Sequence, residues 1–176
     1  RLDPGPAFGT GTHPTTATCL EMLEELLRPG DRVIDIGTGS GILGIAAFLL
    51  GARVVLALDT DPVAVRAASG NAALNGAEGR MAVWRGSLGS LWTGAGRSGA
   101  RRFIPADLAV ANIGAALIGA MAPLVVRALR RGGVFIASGF TAGAAGPLAR
   151  RLAARGLVPF REERRGEWVT LALRRR

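Results

Sequence analysis

The sequence contains no lysine, one cysteine and one histidine among its 176 residues. A single cysteine, Cys19, excludes an internal disulfide and a cluster of thiolate metal ligands. Cys19 lies among apolar residues of a predicted helix, so we expect a buried structural thiol. His13 cannot build a metal site alone, and we expect no metal chemistry. The missing lysine excludes the phosphate-binding loop G-x-x-x-x-G-K-[ST], which requires that residue.

Long apolar runs are also missing. The longest clean stretch, ILGIAAFLLGA, is too short to span a bilayer, and the chain does not open on a charged-then-apolar signal peptide. A hydrophobic fraction of 49% and a mean hydropathy of +0.30 exclude general disorder. The length suits one domain with a real core. We therefore expect a single soluble, cytoplasmic domain over residues 1–176, acting as a monomer.

The charge is strongly one-sided. All 22 basic residues are arginine, the formal net charge is +9 and the sequence pI is about 11.7. Such a charge favours an acidic partner such as RNA. The arginines are spread along the chain without an aromatic stacking platform, and the excess of glycine and alanine beside them is typical of a compositional bias. We therefore expect a general surface charge rather than a dedicated nucleic-acid site.

Strand-like and helical segments alternate along the chain. The strand-like segments are PGDRVIDIG, RVVLALD, RMAVWRG, DLAVANI and GGVFIASG, and LVPFREERRGEWVTLALRR reads as a hairpin around RRGE. The helical ones are TTATCLEMLEELLR, SGILGIAAFLLGA, DPVAVRAASGNAALNG, and residues 115–130 and 142–155. This order predicts an α/β fold: a mostly parallel seven-stranded sheet with helices on both faces and an antiparallel C-terminal hairpin. The segment 87–106 is long for a connection, and we expect an exposed loop there.

The segment IDIGTGSGILG follows the first predicted strand, where such sheets bind ligands at the switch point. It contains a G-x-G-x-x-G match that starts at Gly39, and Asp59 lies near the distance expected for a ribose-binding acid, which together suggest NAD. The register argues against NAD, because the natural frame is Asp35-x-Gly37-x-Gly39-x-Gly41. A carboxylate at the end of the first strand would repel a pyrophosphate, whereas it suits a cationic ligand.

S-adenosylmethionine fits that frame, since it has a sulfonium, an amino group, a ribose and no phosphate. We predict that Gly37, Thr38, Gly39 and Gly41 line its methionine and ribose portion, where glycines let the backbone approach closely. Asp35 would contribute negative potential, and Asp59 would accept both ribose hydroxyls. The prediction is a Rossmann-like class I S-adenosylmethionine-dependent methyltransferase, which releases S-adenosylhomocysteine.

Four segments go beyond a generic methyltransferase: DPGPAFGTGTHPTT, VIDIGTGSGILGIAA, ALDTDPVAV with NAALNG, and VANI. Together with the tail GEWV they resemble the ribosomal protein L11 methyltransferase family over the whole chain. In that family a small amino-terminal domain that holds the substrate precedes the catalytic domain. The chain begins with Arg1 and looks like the catalytic domain without its partner, with residues 1–14 as a lead-in that covers the cofactor.

The resemblance implies cofactor contacts at Thr16, Gly37, Asp59 and Asn112. Thr16 lies at the start of a predicted helix, where its hydroxyl and the nearby backbone amides can bind the carboxylate of the cofactor. Asn112 lies at the mouth of the site and could orient the methyl acceptor, although capping of the next helix is an alternative. Phe8 covers the cofactor or serves as a packing anchor.

His13 is expected to order the lead-in rather than act as a base. The chain departs from the family at Gly114, where a leucine is usual, and in the long segment 87–106.

The resemblance implies methylation of lysine ε-amino or N-terminal α-amino groups of a ribosomal protein. Three alternatives stay open. The first is a class I methyltransferase acting on RNA, a small molecule or another protein. The second is an NAD-dependent oxidoreductase. The third is a cofactor-binding module without catalysis.

Overall fold

A computed structural model of the chain describes residues 1–3, 13–93, 99 and 102–176. Its strands are β1 Arg32–Ile36, β2 Val54–Asp59, β3 Met81–Arg85, β4 Ala106–Asn112, β5 Leu129–Thr141, β6 Leu157–Arg165 and β7 Trp168–Arg175. Its helices are α1 Pro14–Leu26, α2 Ile42–Leu49, α3 Pro62–Leu74, α4 Ala115–Ala128 and α5 Ala142–Ala153, and a 3-10 helix spans Leu88–Trp92.

The seven strands form one sheet in the order β3-β2-β1-β4-β5-β7-β6. The first five strands in sequence pair in parallel, and β7 pairs antiparallel with both β5 and β6. The predicted fold class is confirmed. Because the chain moves outward from β1 to β3 and then returns to β4 on the other side of β1, the loops after β1 and β4 diverge at the switch point.

Both faces of the sheet are covered, as near-continuous apolar strands require. Helices α1, α2 and α3 pack on one face, and α4, α5 and the 3-10 helix pack on the other. Successive side chains of β4 point to opposite faces of the sheet. Leu108 and Val110 belong to the apolar cluster under α1, α2 and α3, and Ala109 and Ala111 belong to the cluster under α4 and α5. The carboxyl ends of the strands are thereby held at one edge.

The sequence signals for α3 act as predicted. The Asp61 carboxylate accepts a hydrogen bond from the Val63 amide at 2.8 Å, and Pro62 occupies the first helical position. Since Asp61 caps the helix, the neighbouring Asp59 is left for another role.

The expectation of an exposed loop over 87–106 is wrong for part of the segment that the structure describes. Leu88 and Leu91 of the 3-10 helix are buried, and so is Phe103. All three join the cluster beneath α4 and α5. Leu88 and Leu91 have the i, i+3 spacing of a helix, but two apolar positions in a segment rich in glycine and serine are too few to predict one, so the sequence pattern hides their burial.

Helix α1 is attached to the hairpin of β6 and β7. Arg161 forms an ion pair with Glu25, and Arg165 forms one with Glu21. At the start of the helix, the His13 ring meets Trp168 edge to face, with 4.9 Å between ring centroids. These contacts join the first helix to the last two strands.

Cys19 on α1 is fully buried, as expected of a structural thiol. Burial raises the pKa of its thiol to about 12, so the thiolate is absent at neutral pH. None of the helices that the structure describes has both the length and the apolar character needed to cross a membrane.

Candidate functional site

A cavity of about 610 Å³ opens at the carboxyl ends of the parallel strands. We call it the switch-point cavity. Its size suits a cofactor or small ligand. The residues that line it come from the loops after β1, β2, β3 and β4 and from α2, α3 and α4: Ile36, Gly37, Thr38, Gly39, Ile42, Leu43, Leu58, Asp59, Thr60, Asp61, Ala64, Gly86, Ser87, Leu88, Asn112, Ile113, Leu117 and Met121.

The glycine loop turns sharply between β1 and α2. Gly37, Gly39 and Gly41 have φ angles of 73°, 56° and 88°, in the left-handed region that glycine adopts without strain. The amides of Gly37 and Thr38 both donate to the Leu58 carbonyl, at 2.8 and 3.0 Å. A Cβ on Gly37 would lie 2.7 Å from Cγ2 of Ile113, another residue of the cavity wall. The loop therefore brings bare backbone against the cavity.

Asp59 ends β2 beside this loop. Its Oδ2 accepts a hydrogen bond from the Gly39 amide, and its Oδ1 accepts one from the Asp61 amide, each at 3.0 Å. A carboxylate offers about four lone-pair positions, so two remain for a ligand. The side chain is thus fixed in direction while still able to accept two hydroxyl groups.

Asp35 lies behind the loop and is 1% exposed. Its Oδ2 accepts hydrogen bonds from the Thr38 hydroxyl at 2.6 Å and the Gly44 amide at 3.0 Å. Its Oδ1 is buried without a partner among the described residues. Burial raises the pKa of the carboxyl to about 6, against the lowering effect of the two hydrogen bonds. Asp35 ties the glycine loop to α2 and leaves one polar atom uncompensated.

This burial makes stability depend on pH. The pKa of the Asp35 carboxyl is about 6 in the folded chain, against 3.8 for an ordinary aspartate. The neutral carboxyl therefore contributes its full stability below pH 3.8, and this contribution is lost as the pH rises through about 6. The shift corresponds to about 3 kcal/mol. We expect the free energy of unfolding to fall by about that amount, relative to Asp35→Asn, between about pH 4 and about pH 7. Urea titrations of both proteins measure it, and parallel pH profiles would contradict it.

Asn112 at the end of β4 connects the cavity to α1. Its Nδ2 donates to the Thr16 hydroxyl at 3.3 Å, across 96 residues of sequence. Thr16 itself is buried, and its amide donates to the His13 carbonyl at 3.0 Å. His13 caps α1, since its Nδ1 accepts from the Thr15 amide. Gly114, not Asn112, precedes the first turn of α4, so Asn112 does not cap that helix.

The structure brings most of the predicted site residues together. The five that line the switch-point cavity are Gly37, Thr38, Gly39, Asp59 and Asn112. Thr16, Asp35 and Gly41 lie one contact behind it, and Phe8 is outside the described residues. Their role as cofactor ligands stays a prediction.

Sequence reasoning missed the cavity residues Gly86, Ser87, Leu117 and Met121. Gly86 and Ser87 follow β3, and the rule that ligands lie beyond the carboxyl ends of strands could have found them. Leu117 and Met121 lie one helical turn apart on α4, a spacing equally typical of core residues. Leu117 is nevertheless 60% exposed at the cavity, so it offers an apolar surface to a ligand.

The charge of the cavity has one sign. Among the described residues that line it, the charged side chains are Asp59 and Asp61, and no arginine or histidine is present. Behind the wall, Asp35 adds a third carboxyl group. Without a cationic side chain, the cavity is poorly suited to a pyrophosphate and well suited to a cation.

Comparisons with known proteins agree with these features. A family profile described as Ribosomal protein L11 methyltransferase (PrmA) matches residues 1–176. The chain is 49% identical over 173 residues to the ribosomal protein L11 methyltransferase of Pelotomaculum thermopropionicum, covering 98% of this chain and 53% of that protein. For the protein of the same name from Synechococcus sp., identity is 46% over 177 residues, with 99% and 56% covered. The chain thus spans about half the length of these curated relatives.

A solved structure is also similar. The crystal structure of ribosomal protein L11 methylase from Lactobacillus delbrueckii subsp. bulgaricus has a TM-score of 0.86 and 36% identity to this chain. The match covers 100% of this chain and 84% of that one. Profile, relatives and structure agree with the motifs in the lead-in, the glycine loop and the tail. The chain belongs to the ribosomal protein L11 methyltransferase (PrmA) family.

Proposed function

We propose that this chain is an S-adenosylmethionine-dependent methyltransferase domain that methylates amino groups of a ribosomal protein of the L11 type. The acceptors would be lysine ε-amino groups, N-terminal α-amino groups or both. The observation that carries the proposal is the switch-point cavity, in which bare glycine backbone faces two aspartates and, among the described residues, no cationic side chain. The names of the relatives support the methyltransferase activity and the substrate.

The residues of the cavity fit the cofactor. Asp59 would hold the ribose hydroxyls with its two remaining acceptor positions. Gly37, Thr38 and Gly39 would line the methionine portion, where a Cβ at Gly37 would push against Ile113. Leu58 and Ile42 offer apolar contact. When bound, S-adenosylmethionine supplies an activated methyl group beside a positively charged sulfur.

The acceptor amine must be neutral to attack, and a desolvated site favours loss of its proton. Among the described cavity residues, Asp59 and Asp61 are the titratable ones, and both belong to the ribose side. We therefore propose that rate enhancement comes from positioning and electrostatics rather than from a dedicated base. Asn112 would do the positioning, because Nδ2 is engaged by Thr16 and Oδ1 remains able to accept from the amine.

Calorimetric titration tests the cofactor assignment. We expect the chain to bind S-adenosylhomocysteine and not NADH, since the pyrophosphate of NADH would meet carboxylates and no cation. Binding of NADH without S-adenosylhomocysteine would contradict the proposal. Transfer of labelled methyl groups to purified ribosomal protein L11 then tests the activity, with an acetylated form of that protein as the matched control.

Asn112→Ala is expected to lower kcat/KM for methyl transfer by about 100-fold through loss of acceptor orientation. Cofactor affinity should change less, because Asn112 is only one of the predicted cofactor contacts and the others remain. Thr16→Val removes the partner of Asn112 and should give a smaller loss of the same kind. Steady-state kinetics together with cofactor titration separate the two effects. Equal losses of cofactor affinity and of kcat/KM would show that Asn112 binds the cofactor only.

The remaining expectations about organisation form part of the same proposal. Residues 1–176 would constitute one methyltransferase domain, and the further half of the relatives' length would contain the part that holds the substrate. Activity in the cytoplasm, where ribosomal proteins are made, would follow from such a substrate, and we propose that the chain acts there as a monomer.

A further inference from the structure

Half of the arginines gather at one end of the sheet, opposite the switch-point cavity. We call this end the amino edge, because the parallel strands begin there and β7 ends there. Among the described residues, eleven arginines lie at the amino-edge ends of the strands or in the loops beside those ends: Arg28, Arg32, Arg53, Arg80, Arg102, Arg130, Arg131, Arg155, Arg174, Arg175 and Arg176. Nine of the eleven are exposed, and Arg32 and Arg175 are half-buried.

Sheet order converts their scattered sequence positions into a row. Read from β3 to β6, six of the seven strands carry an arginine within two residues of their amino-edge end, and Arg102, which precedes β4, donates to the Gly79 carbonyl beside β3. Neighbouring strands lie about 4.8 Å apart, so the row is about 29 Å long. Such a line of regularly spaced charges matches a linear polyanion.

Few acids balance the row. Over the described residues, the acids at the amino edge are Asp31, Glu78 and Asp107, against eleven arginines. Asp107 pairs with Arg130, with 2.5 Å between Oδ1 and Nε. Five helices end at this edge, and each C-terminus adds about half a negative charge. These partial charges explain why some arginines are there, but they do not offset the excess.

Several guanidinium groups remain available to a ligand. Arg53, Arg131 and Arg155 are exposed, and their guanidinium groups form no hydrogen bond or ion pair with a described residue. Arg174 lies over the ring of Phe160 with 4.8 Å to its centroid, and Phe160 is 44% exposed. An exposed aromatic ring beside the row provides a surface on which a base can stack.

We propose that the amino edge binds single-stranded RNA, with phosphates along the arginine row and a base near Phe160. Guanidinium groups favour phosphates because their planar donor fork matches two phosphate oxygens. A flat membrane surface suits the row less well, since the charges follow a line one strand-end wide. The site is distinct from the switch-point cavity, and the inference does not depend on the proposed methyltransferase activity.

The test compares two triple variants with equal change of charge. Arg53→Glu, Arg131→Glu and Arg155→Glu alter the row, and Arg66→Glu, Arg85→Glu and Arg164→Glu alter exposed positions elsewhere. Fluorescence anisotropy measures binding of a labelled single-stranded RNA of about 10 nucleotides at several salt concentrations. We expect the row variant to lose affinity by about tenfold or more, and its salt slope to fall by about 2. The control variant should stay within about threefold of the unaltered chain.

Three results would overturn the proposal. Equal losses in both triple variants would show that net charge alone attracts RNA. Displacement of the RNA by a polyglutamate of the same length at equal concentration would show an acidic-protein site instead. Retention of affinity in the row variant would remove the site altogether. Thermal unfolding of both variants shows that the comparison is made between folded chains.

Discussion

Asp59→Ala should abolish measurable binding of S-adenosylmethionine and of S-adenosylhomocysteine. The variant loses the acceptor for two ribose hydroxyls, and hydrogen bonds to a charged group contribute about 1.5 kcal/mol each or more. Their joint loss corresponds to about 100-fold or more in affinity. The variant also frees the Gly39 amide, which donates to Asp59 at 3.0 Å, so the glycine loop loses an attachment to β2.

Isothermal titration calorimetry measures this effect. Asp61→Asn is the matched control, because it removes the other carboxylate of the cavity and keeps an oxygen that can cap α3. If ribose recognition is the role of Asp59, the control should retain most of the affinity. Unchanged affinity in Asp59→Ala would exclude the ribose assignment. Similar losses in both variants would indicate that overall negative charge, rather than the geometry of Asp59, attracts the cofactor.

Gly37→Ala should reduce cofactor affinity by about tenfold or more, because the cavity wall must move. The new Cβ would lie 2.7 Å from Cγ2 of Ile113, which cannot yield by rotation of a long flexible chain. The φ of 73° adds a cost of about 1–2 kcal/mol to the free energy of folding.

Gly76→Ala separates the two contributions. Gly76 has a similar φ of 66°, but no atom lies within 4 Å of the position that a Cβ would occupy there. Gly37→Ala should therefore lose at least as much stability as Gly76→Ala in urea titrations, and Gly37→Ala alone should lose affinity in calorimetry. A loss of affinity in both would attribute the effect to backbone strain. Full affinity in Gly37→Ala would show that the cavity does not need a bare backbone at this position.

The fold could be predicted from the sequence because local signals agree with one another. Asp61 and Pro62 start α3, and the apolar strands alternate with amphipathic helices, so each element is specified within its own segment. The burial of Leu88, Leu91 and Phe103 could not be predicted, since it depends on contacts with α4 and α5 that lie far along the chain. Pattern reasoning identifies periodic elements and misses short irregular ones.

The candidate site, too, could be predicted from the sequence only in part. Gly37, Gly39 and Asp59 follow strand ends, so topology alone indicates that they meet. The hydrogen bond between Asn112 and Thr16 joins segments 96 residues apart, and no spacing rule anticipates it. The uncompensated Oδ1 of Asp35 is equally invisible in a sequence, because it depends on the absence of a donor in three dimensions among the described residues.

The attachment of α1 to the C-terminal hairpin has a consequence for synthesis of the protein. Helix α1 leaves the ribosome before the hairpin, so Glu21 and Glu25 must wait for Arg165 and Arg161, which are made about 140 residues later. At about 5–20 residues per second, that interval lasts roughly 7 to 30 seconds. Until then, α1 is held against the sheet by its buried apolar side chains. A nascent chain would therefore form the ion pairs between α1 and the hairpin only after that interval, however early the glycine loop forms.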